Sequence, residues 1–394
     1  MPPLRLSSEL ACLIPPSETL GVVERIEVLK RRGVDVVRFD VGEPDFKTPE
    51  HIQRAALNAI SEGFTKYTSS RGILELRQAI ALHVKDWIGL DYDPESEIIA
   101  TPGAKFAIYA AIQAVVNRGD EVIILTPAWP TYKACVLAVF AKPVEVAMLE
   151  SYKVNEEGVK NAITSRTRMI MVNTPNNPTG GVLSVEDLKL IADLAVDHSL
   201  LVLSDEIYKA FVFEGKHVSI ASLPGMRERT IIVDGLSKTY SMTGWRLGFA
   251  LAPREVVDAM VKIQQASTTC PASFVQKAGI AALTGPQDVV KRFLEEYDRR
   301  RRRIIRGLNQ IEGVKCNNPQ GAFYVFPDFS SFNIPSKMLA ERLLMEAGVA
   351  TVAGSPFGPG GEGKLRIAYT TSMDRIEEGL RRIKDFVDKL KGLS

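Results

Sequence analysis

The chain has 394 residues, 45% of them hydrophobic and 24% charged, with a formal net charge of only +2. That length suffices for two or three domains around a large core, and the near-neutral balance leaves no overall field to draw the protein to nucleic acid or an anionic membrane. No apolar run approaches the ~18 residues of a membrane span, and the N-terminus lacks the basic and apolar regions of a secretory signal, so a cytoplasmic protein is expected.

Residues 1–45 read as an arm, a helix at about 20–32 and a short strand in "VDVVRFD". "VGEPDF" turns the chain, and helical patterns follow at 50–62 and 72–88. From residue 97 onward, short apolar runs ("EIIAT", "EVIIL", "MIMVN", "LLVLS", "TIIVDG") alternate with helical stretches such as 104–117 and 184–198. Runs that are apolar on both faces predict a parallel sheet covered by helices. "LGFALA" (247–252) lies only about ten residues beyond the strand that ends near Ser237, too few for a parallel crossover. It is predicted to run antiparallel, with Lys238 where the chain turns back. From residue 286 the pattern becomes a long charged helix, a strand at "GAFYVFP", a helix near 336–347, a strand at "KLRIAYT" and a final helix. The expected fold class is therefore α/β. A large domain at 46–285 carries a mostly parallel sheet with one antiparallel strand, and a smaller α+β domain at 286–394 is joined by residues 1–45.

Several features have local explanations. The basic run Arg299 to Arg303 follows Glu295, Glu296 and Asp298, so it reads as a solvated helix face with i,i+4 pairs Glu295–Arg299, Glu296–Arg300 and Asp298–Arg302. "FGPGGEG" (357–363) precedes a strand instead of following one, so it reads as a loop and not a dinucleotide fingerprint. Four scattered cysteines and four isolated histidines suggest neither a disulfide framework nor a metal site.

Other features gain force together. In "TPGAKFAIYAAIQAVV" (101–116), Gly103 opens a helix after a strand, a natural anion site. "MIMVNTPNNPTGG" sets Asn176 and Asn177 at a strand's C-terminal edge, where open α/β sheets place ligands. "LLVLSDEIY" does the same for Asp205, with Tyr208 three residues on, and "VDGLSKTYSMTGWRLG" delivers Lys238 and Arg246. A buried acid, a phenol, an amide, a lysine and an arginine at one sheet edge suit pyridoxal phosphate. That cofactor needs a lysine for its Schiff base and a carboxylate to keep its pyridine nitrogen protonated.

"NTPNNPTG", "SDEIY", "SKTYSMTGWRLG" and "KLRIAY", in this order, resemble the class I aminotransferases of pyridoxal-phosphate fold type I. The resemblance runs from "VGEPDF" to "LRIAY" and is closest to the aspartate and aromatic aminotransferases of bacteria and archaea. It implies that Lys238 forms the Schiff base and moves the substrate proton, and that Asp205 pairs with the pyridinium. Tyr208 and Asn177 are implied to donate to the ring oxygen. Trp129, in "TPAWPTY", is implied to stack on the ring. Gly103, Ala104 and Lys105 open the phosphate-binding helix, and Arg246 grips the phosphate. Gly235 stands where some members carry a phosphate-binding serine, so that contact is not expected here, and Ser237, just before Lys238, is the cofactor contact expected in this turn. Tyr67 is implied to reach the phosphate of the other subunit, so a homodimer is expected. Arg366 and Gly42 are implied to hold the substrate's α-carboxylate, beside Trp129 and Asn177, with Lys105 facing a distal carboxylate.

The expected activity is transfer of an amino group between an amino acid and a 2-oxo acid, with aspartate and glutamate as substrates. Aromatic or alanine aminotransferase, a lyase of the same fold, and a cofactor-binding transcription regulator are the alternatives. The last resembles a winged-helix segment fused ahead of such a domain, and only about 40 residues precede "VGEPDF".

Overall fold

A computed structural model describes residues 7–15 and 18–392; the first six residues of the expected arm lie outside them. A helix, Glu18–Arg31, leads to the two-residue strand β1 (Val37–Arg38). Then come β2 (Ile98–Thr101), β3 (Glu121–Thr126), β4 (Lys142–Ala147), β5 (Thr167–Asn173), β6 (Leu201–Asp205), β7 (Thr230–Gly235) and β8 (Gly248–Leu251). These seven form one sheet in the order β2-β8-β7-β6-β5-β3-β4. All run the same way except β8, which is antiparallel to both neighbours.

Alternation along each strand feeds two cores. Val122 and Ile124 of β3 pack with helices 104–115 and 254–265. Ile123 and Leu125 pack against helix 185–197 on the opposite face. Helices 50–61, 74–88 and 273–284 cover the β2–β8 end of the sheet. Edge strand β4 escapes the sequence pattern because "KPVEVA" contains Pro143 and is mostly half-buried; an edge tolerates a proline that a central strand would not.

Beyond β8 lie β9 (Tyr324–Val325), β10 (Val349–Ala350), β11 (Val352–Ala353) and β12 (Leu365–Ala368). β12 is the centre of a three-stranded antiparallel sheet, β11-β12-β9, and β1 pairs in parallel with β10. Helices 288–309, 336–347 and 373–392 pack on them around Phe323, Tyr369, Leu380 and Ile383. Ile207, Tyr208 and Phe211, just beyond β6, belong to the same apolar cluster, so the two sheets meet directly behind the strand ends.

The basic run is not simply a solvated face. Glu296–Arg300 and Asp298–Arg302 form as expected, but Arg299 pairs with Glu296 instead of Glu295. Arg300 and Arg301 are buried. Arg300 reaches Asp45 at 2.8 Å, and Arg301 reaches Glu214 and the Pro319 carbonyl. Helical spacing shows which residues share a face. It does not show what lands on that face, and here the loop after β1 and the segment after β6 land there. Among the described residues no helix is long and apolar enough to cross a membrane.

Candidate active site

A cavity of about 390 Å³ opens at the C-terminal edge of the large sheet. Asn173 ends β5 and Asp205 ends β6, and a one-turn helix, Leu236–Thr239, follows β7 and presents Lys238. Helix 104–115 points its N-terminus at the same place, and no side chain caps it, so its first amide groups are available to an anion. Gly103 has φ +88, and a Cβ there would sit 2.5 Å from Nη2 of Arg246. Glycine is needed on both counts: the left-handed backbone and the guanidinium folded against it.

The small sheet closes the other side. Arg366 (β12), Tyr324 (β9) and Gly42, in the loop after β1, all line the cavity. A Cβ on Gly42 would collide with the Tyr324 hydroxyl. The Lys238 ammonium donates to the Gly42 carbonyl at 2.6 Å. Tyr208 and Tyr324 share a hydroxyl–hydroxyl hydrogen bond of 2.8 Å. Arg366 donates to the Asp40 carbonyl at 2.7 Å and to the Asn177 side-chain oxygen at 3.2 Å.

Burial sets the electrostatics. It pushes the Asp205 carboxyl up to about 6, although the Tyr132 hydroxyl (2.7 Å) and the Ile207 N–H both donate to it. It pushes the Lys238 amine down to about 8 and holds the Lys105 amine below the ordinary lysine range. The Lys105 ammonium lies 4.9 Å from the centre of the Trp129 ring.

Eleven of the thirteen residues expected from sequence line this cavity: Gly42, Ala104, Lys105, Trp129, Asn177, Asp205, Tyr208, Ser237, Lys238, Arg246 and Arg366. Gly103 lies just behind the lining, against Arg246. Tyr67 is not among the lining residues and is 88% exposed. Asn176 also turns away, its side-chain oxygen capping Thr179. Asp40, Asn173, Tyr132 and Tyr324 line the cavity without having been expected. The strand-end rule that found Asp205 also applies to Asn173. Tyr132 stands three residues after Trp129, and no local signal marks Asp40 or Tyr324.

The donor set fits pyridoxal phosphate. A phosphate has the free helix terminus, the Gly103 cradle and Arg246. A ring nitrogen has a buried carboxylate, and a carbonyl carbon has an amine of lowered pKa. The Nε of Arg366 is buried without a partner, as a site for a further anion would leave it.

Comparison with known proteins agrees. The model of the family "Aminotransferase class I and II" matches residues 34–383. An aspartate aminotransferase of Pyrococcus abyssi is 42% identical, over 96% of this chain and 97% of its own length. An aromatic-amino-acid aminotransferase of Thermococcus litoralis is 41% identical over 95% and 99%. Among solved structures, the aspartate aminotransferase of Thermus thermophilus with maleate superposes with a TM-score of 0.93 at 41% identity, over 97% of this chain and all of that one. The chain belongs to the class I and II aminotransferases, pyridoxal 5'-phosphate enzymes that move an amino group between an amino acid and a 2-oxo acid.

Proposed function

We propose that this aminotransferase prefers the acidic pair, aspartate and glutamate, with their 2-oxo acids, and works as a cytoplasmic homodimer. In this reading residues 46–285 form the cofactor domain, and 286–394 with part of 1–45 form the small domain. When bound, pyridoxal phosphate supplies a ring that withdraws electrons from the substrate's α-carbon. The protein's own groups do the rest. Asp205 keeps a proton on the ring nitrogen by offering it a negative charge. Tyr208 and Asn177 donate to the ring oxygen, and Trp129 stacks on the ring. Arg246, Ser237 and the amides of Ala104 and Lys105 hold the phosphate, and Arg366 with Gly42 holds the α-carboxylate. Lys238, an amine whose pKa burial brings from the ordinary lysine range down to about 8, takes and returns the α-proton through Nζ.

One observation carries the substrate preference. Lys105 is a cation on the cavity wall, exposed along its length, whose amine is partly desolvated beside the Trp129 ring and, among the described residues, pairs with no carboxylate. A cation whose amine loses part of its water favours an anion, and the second carboxylate of an acidic substrate is one. The Thermus relative was solved with maleate, a four-carbon dicarboxylate. The apolar wall of Ile108 and Trp129, with the Thermococcus aromatic aminotransferase as a relative, favours aromatic substrates as a second reading. Steady-state kinetics of Lys105→Met separate them. The acidic pair loses about 2 kcal/mol or more in kcat/KM while phenylalanine is unaffected. An equal loss for both assigns Lys105 to the cofactor and removes the acidic preference.

A further inference from the structure

Behind the cavity lies a second set of ionisable groups that the chemistry above leaves unused. Asp205 and Tyr208 line the cavity, whereas Glu206 and Lys209 of the same segment do not. Asp234 lies on β7 next to Val233, the residue in register with Asp205. Three carboxylates, Asp205, Glu206 and Asp234, are thus gathered at adjoining strand ends, each 3% exposed or less.

Each has a different answer to burial. Asp234 takes Lys209: Nζ to Oδ2 is 2.5 Å, and its other oxygen accepts the Gly235 N–H at 2.6 Å. Glu206 takes the hydroxyls of Ser204 (2.9 Å) and Ser219 (2.6 Å) and the His217 ring at 2.8 Å. Asp205 has only neutral donors, Tyr132 and the Ile207 amide, with Tyr208 and Asn173 beside it and Lys238 as the cation across the cavity. Lys209 is closed in by the ring of Trp87 at 5.2 Å. His83, on the same helix as Trp87, is pushed down to about 2 by burial and then by Lys209, so it adds no charge at neutral pH.

A buried ion pair is a poor source of stability, because desolvation cancels most of the attraction. The Lys209–Asp234 pair therefore calls for another role, and its position suggests one. It joins the residue after Tyr208 to the strand end that leads into Lys238. We propose that Lys209 is a positioning residue for the transfer reaction: its charge neutralises Asp234 from behind, while Glu206 is held by His217 and two serine hydroxyls, so that Asp205 is the acid left to present its negative charge to the cavity. This role rests on Asp205 being the partner of the cofactor's ring nitrogen. Without Lys209, the two acids behind would repel charge on Asp205 and hold its proton to higher pH. Without Asp234, the freed ammonium would draw that proton off at lower pH.

Fluorescence titration of the apoenzyme with pyridoxal phosphate across the acid and neutral pH range tests it. The cofactor's own titrations are common to every variant, so differences report the protein. Wild-type affinity weakens on the acid side as Asp205 takes up its proton near about 6. Lys209→Met is expected to move that acid midpoint up by about half a pH unit or more, and Asp234→Asn to move it down. The double variant returns it close to wild type. A purely structural pair would weaken binding or lower Tm in both single variants and move the midpoint in neither. Two unmoved midpoints, or two moved the same way, overturn the proposal. Should Lys209→Met fail to fold, the isosteric Asp234→Asn decides alone, by a downward shift or none. Asp205→Asn is the control: if it keeps the wild-type acid dependence, the role given to Asp205 fails instead.

Discussion

Arg366 and Asn177 are joined by a 3.2 Å hydrogen bond between the guanidinium and the side-chain amide oxygen, which ties the central strand of the small sheet to the turn after β5 of the large one. One residue thus touches both halves of the site. The second contact, to the Asp40 carbonyl, fixes the guanidinium plane. A planar fork meets a carboxylate in two bonds that lysine cannot reproduce.

Arg366→Lys is therefore expected to lower kcat/KM for acidic and aromatic amino acids by a similar factor, about tenfold or more. Steady-state kinetics on both classes measure it. A loss confined to acidic substrates would move Arg366 to the side-chain pocket.

Asp205 gives a stability prediction with a definite sign. Its folded-state pKa is raised from 3.8 to about 6 by burial, so the native apoenzyme binds this proton more tightly than the unfolded chain does. Its contribution is favourable below the unfolded value and is lost as pH rises through the folded one. At neutral pH the buried charge costs up to about 3 kcal/mol. Asp205→Asn should raise the Tm of the apoenzyme at neutral pH and give no gain at pH values below the ordinary carboxylate range. The holoenzyme should show the opposite, because the charge then has its partner. Thermal unfolding of both forms at two pH values checks this; an apoenzyme Tm that Asp205→Asn leaves unchanged or lowers at neutral pH would count against an uncompensated charge there.

Lys238 is pushed down to about 8 by burial. In the apoenzyme its modification by an amine-selective reagent should rise with a midpoint near that value, against about 10.4 for an ordinary lysine. Lys238→Ala should still bind the cofactor yet lose catalytic transamination. Mass spectrometry of the labelled peptide and a turnover assay read the two effects, and normal turnover in the variant would remove Lys238 from the chemistry.

Tyr67, exposed in the single chain, is expected from the family resemblance to reach a partner subunit's phosphate, and mixed dimers test that expectation. Tyr67→Phe should weaken cofactor binding by about 1 kcal/mol or more, the worth of a charge-assisted hydrogen bond. Mixing a Lys238→Ala chain with a Tyr67→Phe chain creates one dimer site with both residues intact, provided that Tyr67 reaches across. Cofactor affinity and activity per intact lysine should then recover toward wild type. No recovery places Tyr67 in its own chain's site or in none.

Much of the site was legible because its signals are local. A β-strand that ends in Asn173, Asp205 or Gly235 shows itself by a few consecutive apolar residues and the turn formers after them, and the parallel arrangement then brings those ends together. β8 was legible for a similar reason: ten residues cannot cross over, so the strand must reverse. Residues whose importance comes from a distant contact were not. Tyr132 matters because its hydroxyl reaches Asp205, and Tyr324 because it meets Tyr208 and Gly42. The fate of Arg300 and Arg301 likewise depended on loops that helical spacing cannot foresee.

The sequence by itself determined the central strands and main helices, the sheet's sense and the chemical identity of the groups at its edge, since strand length, burial period and turn chemistry are properties of neighbouring residues. Only the tertiary structure decided that Asp40, Asn177, Tyr324 and Arg366 form one wall. It also decided that Lys209 answers Asp234 instead of water. Which partner a buried polar group finds depends on how separate segments pack, and burial then makes that partner obligatory.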